Sequence, residues 1–412
     1  MPSPPGLDAR RAALSMLDAV MRQGRTLDSA SSSNRIVLSA DDSRLALAIA
    51  GETLRRIPAL DSMIDSRPRQ RLPDDSKARM VLRLALAQKL ALEIPDHAIV
   101  ATALPLVDGG PRRLVHGVLG ALLRGEISPA AVLPQGVEDR WRKAWGENAV
   151  IAARRMILQR PPLDLSFRDD SSAQNYPLGS SLAARHRRLE SAAVPGLPGY
   201  DEGNWWVQDL ASSLPAQLVP QAAKSVLDLC AAPGGKTMQL AAAGHDVTAL
   251  DRSKSRLARL RDNLARTRLE AKTIVADALE LQTDETYDAV LLDAPCSATG
   301  TFRRHPEVLY RARDSIIAAS AETQNRLLDR AASAVGVGGS LVYAVCSLEP
   351  EEGEMQVRSF LRRHHYFRLE PARLDIAGLS ASAEGWVRVV PGMLEAEGGL
   401  DGFFTAHLVR DR

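Results

Sequence analysis

SVLDLCAAPGGKT (225–237) packs an apolar run, a glycine-rich turn and the start of a helix into one short stretch. The run closes on Asp228 and Cys230, and Lys236-Thr237 follows the glycines at the point where a helix is expected to open. The Gly234-Gly235 pair lets the backbone approach a ligand and adopt positive φ. Two nucleotide readings fail here. A P-loop needs Gly five positions before its final Gly-Lys-Thr, and Cys230 stands at that position. A dinucleotide fingerprint needs GxGxxG, which is absent. What remains is a turn suited to a small zwitterion, such as the methionine part of S-adenosylmethionine.

Outward from this stretch the same rhythm recurs. DVTALD (246–251), KTIVAD (272–277), YDAVLLDAPC (287–296), GSLVYAVCS (339–347) and FFTAHLVR (403–410) alternate with helical stretches. Strands alternating with helices of this length predict an α/β, Rossmann-like parallel sheet with helices on both faces. Ligands of such sheets bind beyond the carboxyl ends of the strands. Cys230, Asp251, Asp277, Asp293 with Cys296, and Cys346 are therefore expected to converge on one crevice. Asp251, closing the second strand, is placed to accept ribose hydroxyls, and Asp277, closing the third, to accept the adenine amino group.

Residues 8–125 read differently. DARRAALSMLDAVMRQG, SRLALAIAGETLRRI (43–57), KARMVLRLALAQKLALEI (77–94) and PRRLVHGVLGALLRG (111–125) space their apolar residues at helical intervals and stop at Gly or Pro. The expectation is an all-α bundle over 1–130, a linker with a small mixed αβ piece over 131–204, and a catalytic domain over 205–412. The length of 412 residues accommodates two or three domains at about 150 residues each. With 45% apolar and 25% charged residues the chain reads as ordinary globular protein rather than disordered or fibrous. The net charge of +2 is unevenly spread. Residues 1–200 carry 28 Lys and Arg against 21 Asp and Glu, and residues 201–412 carry 24 against 29. A basic front half suits contact with a polyanion. No apolar run approaches the roughly 18 residues of a membrane span, and the first residues lack the apolar core of a secretory signal. Three cysteines without paired spacing predict reduced thiols in a cytoplasm, no disulfide framework and no metal site.

Two of those cysteines, Cys296 and Cys346, close neighbouring strands beside the crevice. Carbon 5 of cytosine is too weak a nucleophile to take a methyl group directly. A thiolate adding to carbon 6 activates it, and a second group must then remove the carbon-5 proton and let the thiol leave. Asp293, beside Cys296, is placed to hold or protonate the ring nitrogen. The chemistry leaves open which thiol attacks. FRRHPE (302–307) follows directly, and Arg303, Arg304 and His305 are expected to grip RNA phosphates.

DLCAAPGGKT, LLDAPCSATGTFRRHPE, LVYAVCSLEPEEGE and DGFFTAHL resemble the Sun/Nop family of RNA (cytosine-5)-methyltransferases. LRLALAQKLALEIPDHAIV and RLVHGVLGALLR are similar to the NusB-like RNA-binding domain of that family's RsmB-type (Sun/Fmu) branch. The resemblance implies S-adenosyl-L-methionine as cofactor, and cofactor contacts from Cys230, Ala231, Ala232, Pro233, Gly234, Gly235, Lys236, Asp251, Asp277 and Asp293. It further implies Cys346 as nucleophile, Cys296 assisting release, and small-subunit (16S) ribosomal RNA as substrate, with the chain acting as a monomer. Val345 stands where the family's late motif carries Thr. Two alternatives compete. One is a non-catalytic RNA-binding ribosome-assembly or antitermination-like factor. The other is a DNA methyltransferase with Cys296 as nucleophile, which the missing target-recognition insertion disfavours.

Overall fold

The structure, a computed structural model, describes residues 4–34, 36–67, 71–125, 130–190, 192–281 and 285–411. Residues 126–129, at the end of the expected bundle, lie outside them. Packing divides the chain into two units. The first comprises 1–139, 153–159 and 302–311; the second comprises 140–152, 160–301 and 312–412.

The front of the first unit is helical, with α1 (Leu7–Gln23), α2 (Leu27–Ser32), α3 (Ala40–Asp65), α4 (Lys77–Leu92), α5 (Asp96–Ala103) and α6 (Gly109–Leu123). Thr26, Ser39 and Ser76 cap α2, α3 and α4 by accepting backbone amides from the first turn, which satisfies donors a helix start leaves orphaned. Leu17, Ile49, Leu54, Leu82, Leu86 and Leu119 form part of its core.

One helix runs longer than its sequence suggests. The expected stop at Pro58 is overridden, and α3 continues to Asp65. Proline has no N–H, so the carbonyl four residues back, that of Leu54, loses its helical donor. The Tyr310 hydroxyl donates to the Leu54 carbonyl instead, at 2.7 Å. Burial pushes the Tyr310 phenol far up, so it remains a donor. Tyr310→Phe is expected to strand that carbonyl and cost about 1–3 kcal/mol, read as a lower denaturation midpoint by circular dichroism. An unchanged midpoint would show the carbonyl satisfied some other way.

The chain continues through α7 (Gln135–Trp145) and α8 (Glu147–Leu158) into β1 (Leu163–Phe167), α9 (Asp170–Gln174), β2 (His186–Leu189) and β3 (Trp205–Val207). The three strands form a small antiparallel sheet in the order β2-β1-β3. The expected boundary at 204 does not separate this piece from the residues after it. The Asp164 carboxylate accepts the Leu210 amide at 2.9 Å, and Arg188 donates to the carbonyls of Glu397 and Gly399. The small sheet is thereby bonded into the second unit.

That unit then runs α10 (Leu210–Gln217), β4 (Ser225–Leu229), α11 (Gly235–Ala242), β5 (Asp246–Asp251), α12 (Lys254–Thr267), β6 (Lys272–Val275) and β7 (Tyr287–Asp293). After α13 (Val308–Arg311), which belongs to the first unit, come α14 (Asp314–Ser333), β8 (Val335–Val345), α15 (Glu354–Arg363), β9 (Phe367–Glu370), β10 (Val387–Val389) and β11 (Phe403–Arg410). The main sheet has the order β10-β11-β8-β7-β4-β5-β6, with β9 also on β11. β8, β7, β4, β5 and β6 are parallel, as the alternating pattern requires. β11, read from sequence as one more member of that series, instead pairs antiparallel with β8. Apolar clusters cover both faces of the sheet. From β4 the connection leads to β5 on one side, while β7 lies on the other, so the order reverses between β4 and β7. A crevice opens at such a switch point beyond the carboxyl ends of the strands.

Candidate active site

Beyond β4 the chain enters the turn through Cys230, which holds a left-handed φ of 61°. A non-glycine residue there carries strain of the kind that gathers at functional sites. The turn is pinned to β5: the Ala231 amide donates to the Leu250 carbonyl at 3.1 Å, and the Ala232 amide to Asp251 Oδ2 at 3.1 Å. Gly234, at φ 109°, caps the start of α11 where a Cβ would strike the Leu260 side chain. Thr237 in the first turn of α11 donates to Asp228 Oδ2 at 2.6 Å. Burial pushes the Asp228 carboxyl up to about 7. Burial and the neighbouring carboxylates of Asp293, Asp251 and Asp228 push the Cys230 thiol up to about 12, which disfavours its thiolate.

Lys236 Nζ lies 2.8 Å from Asp293 Oδ2 and over the Phe403 ring, joining the turn after β4 to the end of β7. Three residues past Asp293 stands Cys296, and beyond β8 stands Cys346. Their Sγ atoms are 3.6 Å apart. The approach follows from register, since β7 and β8 are adjacent and parallel with Asp293 opposite Ala344. Val345, in place of the family's Thr, is fully buried at the end of β8 opposite Phe404. A hydrogen bond with Cys346, burial and the Glu352 carboxylate together hold the Cys296 thiol well above its ordinary value. All three cysteines are free.

The structure brings together most of the residues expected at the crevice. Cys230 through Gly234 form the turn between β4 and α11, and Gly235 and Lys236 open the helix. Asp251 ends β5 only 2% exposed, with Oδ1 accepting the Ser253 amide and Oδ2 the Ala232 amide. A carboxylate offers about four lone-pair positions, so accepting capacity remains. Asp277 lies just past β6, half-buried, and accepts the Leu279 amide. These carboxylates, with the buried Asp228 Oδ1 that has no hydrogen-bond partner among the described residues, form a donor-accepting rim that fits an adenosyl-amino-acid ligand.

The basic stretch is corrected. Arg303 is 1% exposed, so it is not the surface phosphate clamp expected of it. The reason lies in its neighbours, because residues 302–311 belong to the first unit. Glu307 accepts the Leu27 amide at 3.0 Å, Tyr310 reaches Leu54, and Arg311 Nε donates to the Gly24 carbonyl at 2.7 Å. Arg304 and His305 remain half-buried.

Residue-by-residue reading missed Ser297, Ser347 and Glu352. Glu352 is fully buried and bonded to both serines. A signal was present, since Cys296 and Cys346 are both followed at once by a serine.

A doubly wound sheet with this turn and these strand-end carboxylates defines an S-adenosylmethionine-dependent methyltransferase. Comparison with known proteins narrows the class. The family model described as 16S rRNA methyltransferase RsmB/F matches residues 215–409, and the NusB family model matches residues 7–124. Ribosomal RNA small subunit methyltransferase B of Erwinia tasmaniensis is 31% identical over 428 residues, covering 96% of each chain. That of Yersinia pseudotuberculosis is 31% identical over 446 residues, covering 97% of this chain and 98% of its own. The chain belongs to the ribosomal RNA small subunit methyltransferase B family. Among solved structures, that of PH0851 shares the fold at TM-score 0.76 and 24% identity over 99% of both chains. NSun6 from Pyrococcus horikoshii with SFG shares it at TM-score 0.60 and 18% identity, covering 68% of this chain and 99% of that one. No helix among the described residues is long and apolar enough to cross a membrane.

Proposed function

We propose that this enzyme methylates carbon 5 of a cytosine in small-subunit (16S) ribosomal RNA through a covalent adduct on Cys346, acting as a cytoplasmic monomer. The observation that carries the reading is the 3.6 Å separation of the Cys296 and Cys346 sulfurs at the ends of adjacent strands, beside the Lys236–Asp293 pair. S-adenosylmethionine, when bound, supplies an electrophilic methyl group. The turn 230–236 and the Asp251 and Asp277 carboxylates hold it, and the residues around the thiols act on the base.

The Cys296 and Cys346 thiols are within hydrogen-bond reach of one another at 3.6 Å, and that contact, burial and the Glu352 carboxylate raise the Cys296 thiol. Cys346 is taken as the attacking sulfur because the family resemblance implies it, the residues alone leaving the order open. Its addition to carbon 6 makes carbon 5 nucleophilic. The Asp293 carboxylate, fixed by Lys236, accepts a hydrogen bond from the base edge and orients the ring. Once Cys346 is tied up as a thioether, two of the influences that raise the Cys296 thiol disappear. Cys296 then releases its proton to solvent and, as the thiolate, takes the proton on carbon 5. That electron pair re-forms the carbon 5–carbon 6 double bond, the Cys346 sulfur leaves carbon 6 as a thiolate, and the aromatic ring is restored. Arg304 and His305 are the basic-stretch residues left to meet RNA.

Cys296→Ala tests this. It is expected to lower turnover by about 10²–10⁴-fold, the range of a lost general base. The variant should also accumulate a protein–RNA species that survives denaturing electrophoresis. A variant that turns over normally, or one that stops without an adduct, overturns the assignment.

A further inference from the structure

The turns that carry the two cysteines are supported unequally. Cys346 follows directly on β8, which is paired on both sides up to its last residues: Ala344 lies opposite Asp293 and Val345 opposite Phe404. The Cys346 carbonyl also accepts the Gly300 amide at 3.1 Å. Cys296 lies three residues past the end of β7, in a turn whose Ala298 has a left-handed φ of 59°. Among the described residues, no sheet ladder holds that turn.

Thr299 Oγ1 accepts the Leu348 amide at 3.0 Å and the Ser297 and Ser347 hydroxyls meet at 3.2 Å, and a carboxylate gathers these contacts beside the thiols. Glu352, 0% exposed, receives the Ser297 amide on Oε1 at 2.8 Å and the Ser297 hydroxyl on Oε2. The same Oε2 receives the hydroxyl of Ser347. Gln324 Nε2 donates to Glu352 Oε1 at 3.3 Å and to the Pro295 carbonyl at 3.0 Å, bracing the Cys296 turn from the α14 side. Glu352 is itself held, because the Tyr343 hydroxyl donates to its carbonyl at 2.6 Å. Ser297 follows Cys296 and Ser347 follows Cys346, so one buried carboxylate binds the neighbours of both thiols.

We propose that Glu352 is a positioning residue for the two-thiol chemistry, tying the Cys296 turn to the Cys346 turn and setting the distance between their sulfurs. The inference rests on the proposed two-thiol mechanism, yet part of its test does not. Because the Cys346 turn has ladder support and the Cys296 turn has not, loss of Glu352 should displace Cys296 and spare Cys346. Attack survives and release fails.

The test uses the full chain with Glu352→Gln and Glu352→Ala. The amide keeps the volume but puts an NH2 group in place of one accepting oxygen, so it cannot receive all the bonds that Glu352 accepts from Ser297, Ser347 and Gln324. Without RNA, diamide takes two electrons and two protons from the neighbouring thiols, and the Cys296–Cys346 disulfide is followed by peptide mass spectrometry. Its formation is expected to slow about tenfold or more in either variant, in line with the sensitivity of proximity effects to displacements near 1 Å. With RNA and S-adenosylmethionine, single-turnover adduct formation should stay within about threefold of the parent. Multiple turnover should fall about 100-fold with adduct accumulating. Rescue is expected in neither variant on raising cofactor concentration. A folded Glu352→Gln protein that closes the disulfide at the parental rate overturns the proposal, as does an equal loss of attack and release. Should Glu352→Ala fail to fold, Glu352→Gln decides. Slowed disulfide closure in a protein for which even Cys296→Ala gives no adduct leaves the positioning role standing and removes the two-thiol mechanism instead.

Discussion

Cys346→Ser loses on the order of 10⁴-fold or more of methyl transfer, the scale on which removing a covalent nucleophile registers, while the fold and cofactor binding stay intact. The substitution is nearly isosteric and sits past the end of β8, where no sheet ladder depends on the side chain. The residues proposed to hold the cofactor lie elsewhere, on the turn after β4 and at the ends of β5 and β6. A serine hydroxyl is far less acidic than a thiol, so at this position it supplies much less of the ionised nucleophile that attack on carbon 6 needs. Labelled-methyl transfer to ribosomal RNA measures the loss, and calorimetric titration with S-adenosylmethionine measures what is retained. No adduct should form, in contrast to Cys296→Ala. Parental activity in Cys346→Ser would sink the mechanism, and an adduct through Cys296 would reverse the roles of the two thiols.

Asp164→Ala is expected to destabilise the second unit by about 3–5 kcal/mol, the cost of leaving a buried partner charge uncompensated. Asp164 is 1% exposed and receives both Arg188 Nε and Nη2 at 2.7 Å, a bidentate pair deep in the small sheet. It also accepts the Leu210 amide at the start of α10. Without the carboxylate, Arg188 stays buried with only the carbonyls of Glu397 and Gly399. Burial works to raise this carboxyl, but hydrogen bonds and charge from Arg188 and His186 more than offset it and hold it well below the usual carboxylate range. A carboxyl lowered in the folded state lends stability that is complete above its unfolded value, about 3.9. That stability drains away as pH falls below that value toward the folded one. The parent should therefore lose stability steeply below about pH 4, and the difference between parent and Asp164→Ala should narrow there. Denaturant midpoints at neutral pH and at pH 3 measure both statements. An equal gap at the two pH values would mean that the pair contributes no linked stability.

The strands of the main sheet were legible because each is a short apolar run bounded by a turn residue, and burial on both faces leaves no other reading. Five of the runs quoted from sequence became parallel neighbours. β11 was legible as a strand but not in its direction, since an antiparallel neighbour needs no crossover helix to announce it. The helical stretches of the front were legible from periodicity. α3 defeated the proline rule because its missing hydrogen bond is replaced by a hydroxyl 256 residues away in sequence.

At the site, the Cys296–Cys346 neighbourhood was readable because the positions of strand ends are local facts and strand adjacency brings them together. Glu352 was not, since SLEPEEGE holds four glutamates and only packing distinguishes the two fully buried by the core from the rest. Arg303 misled for the converse reason, because a basic stretch looks solvated until its neighbours are known.

The chain's own order of residues thus determined the alternation of strand and helix, the glycine-rich turn, the carboxylates at strand ends and the presence of two thiols, all properties set within a few residues of backbone. Tertiary structure alone decided that the Cys296 thiol is raised by its surroundings, that Glu352 bonds the serines beside both thiols and that Arg303 is interior. Each of these depends on which distant groups exclude water and donate hydrogen bonds at one point, and such energies are defined only once the sheet has closed around them.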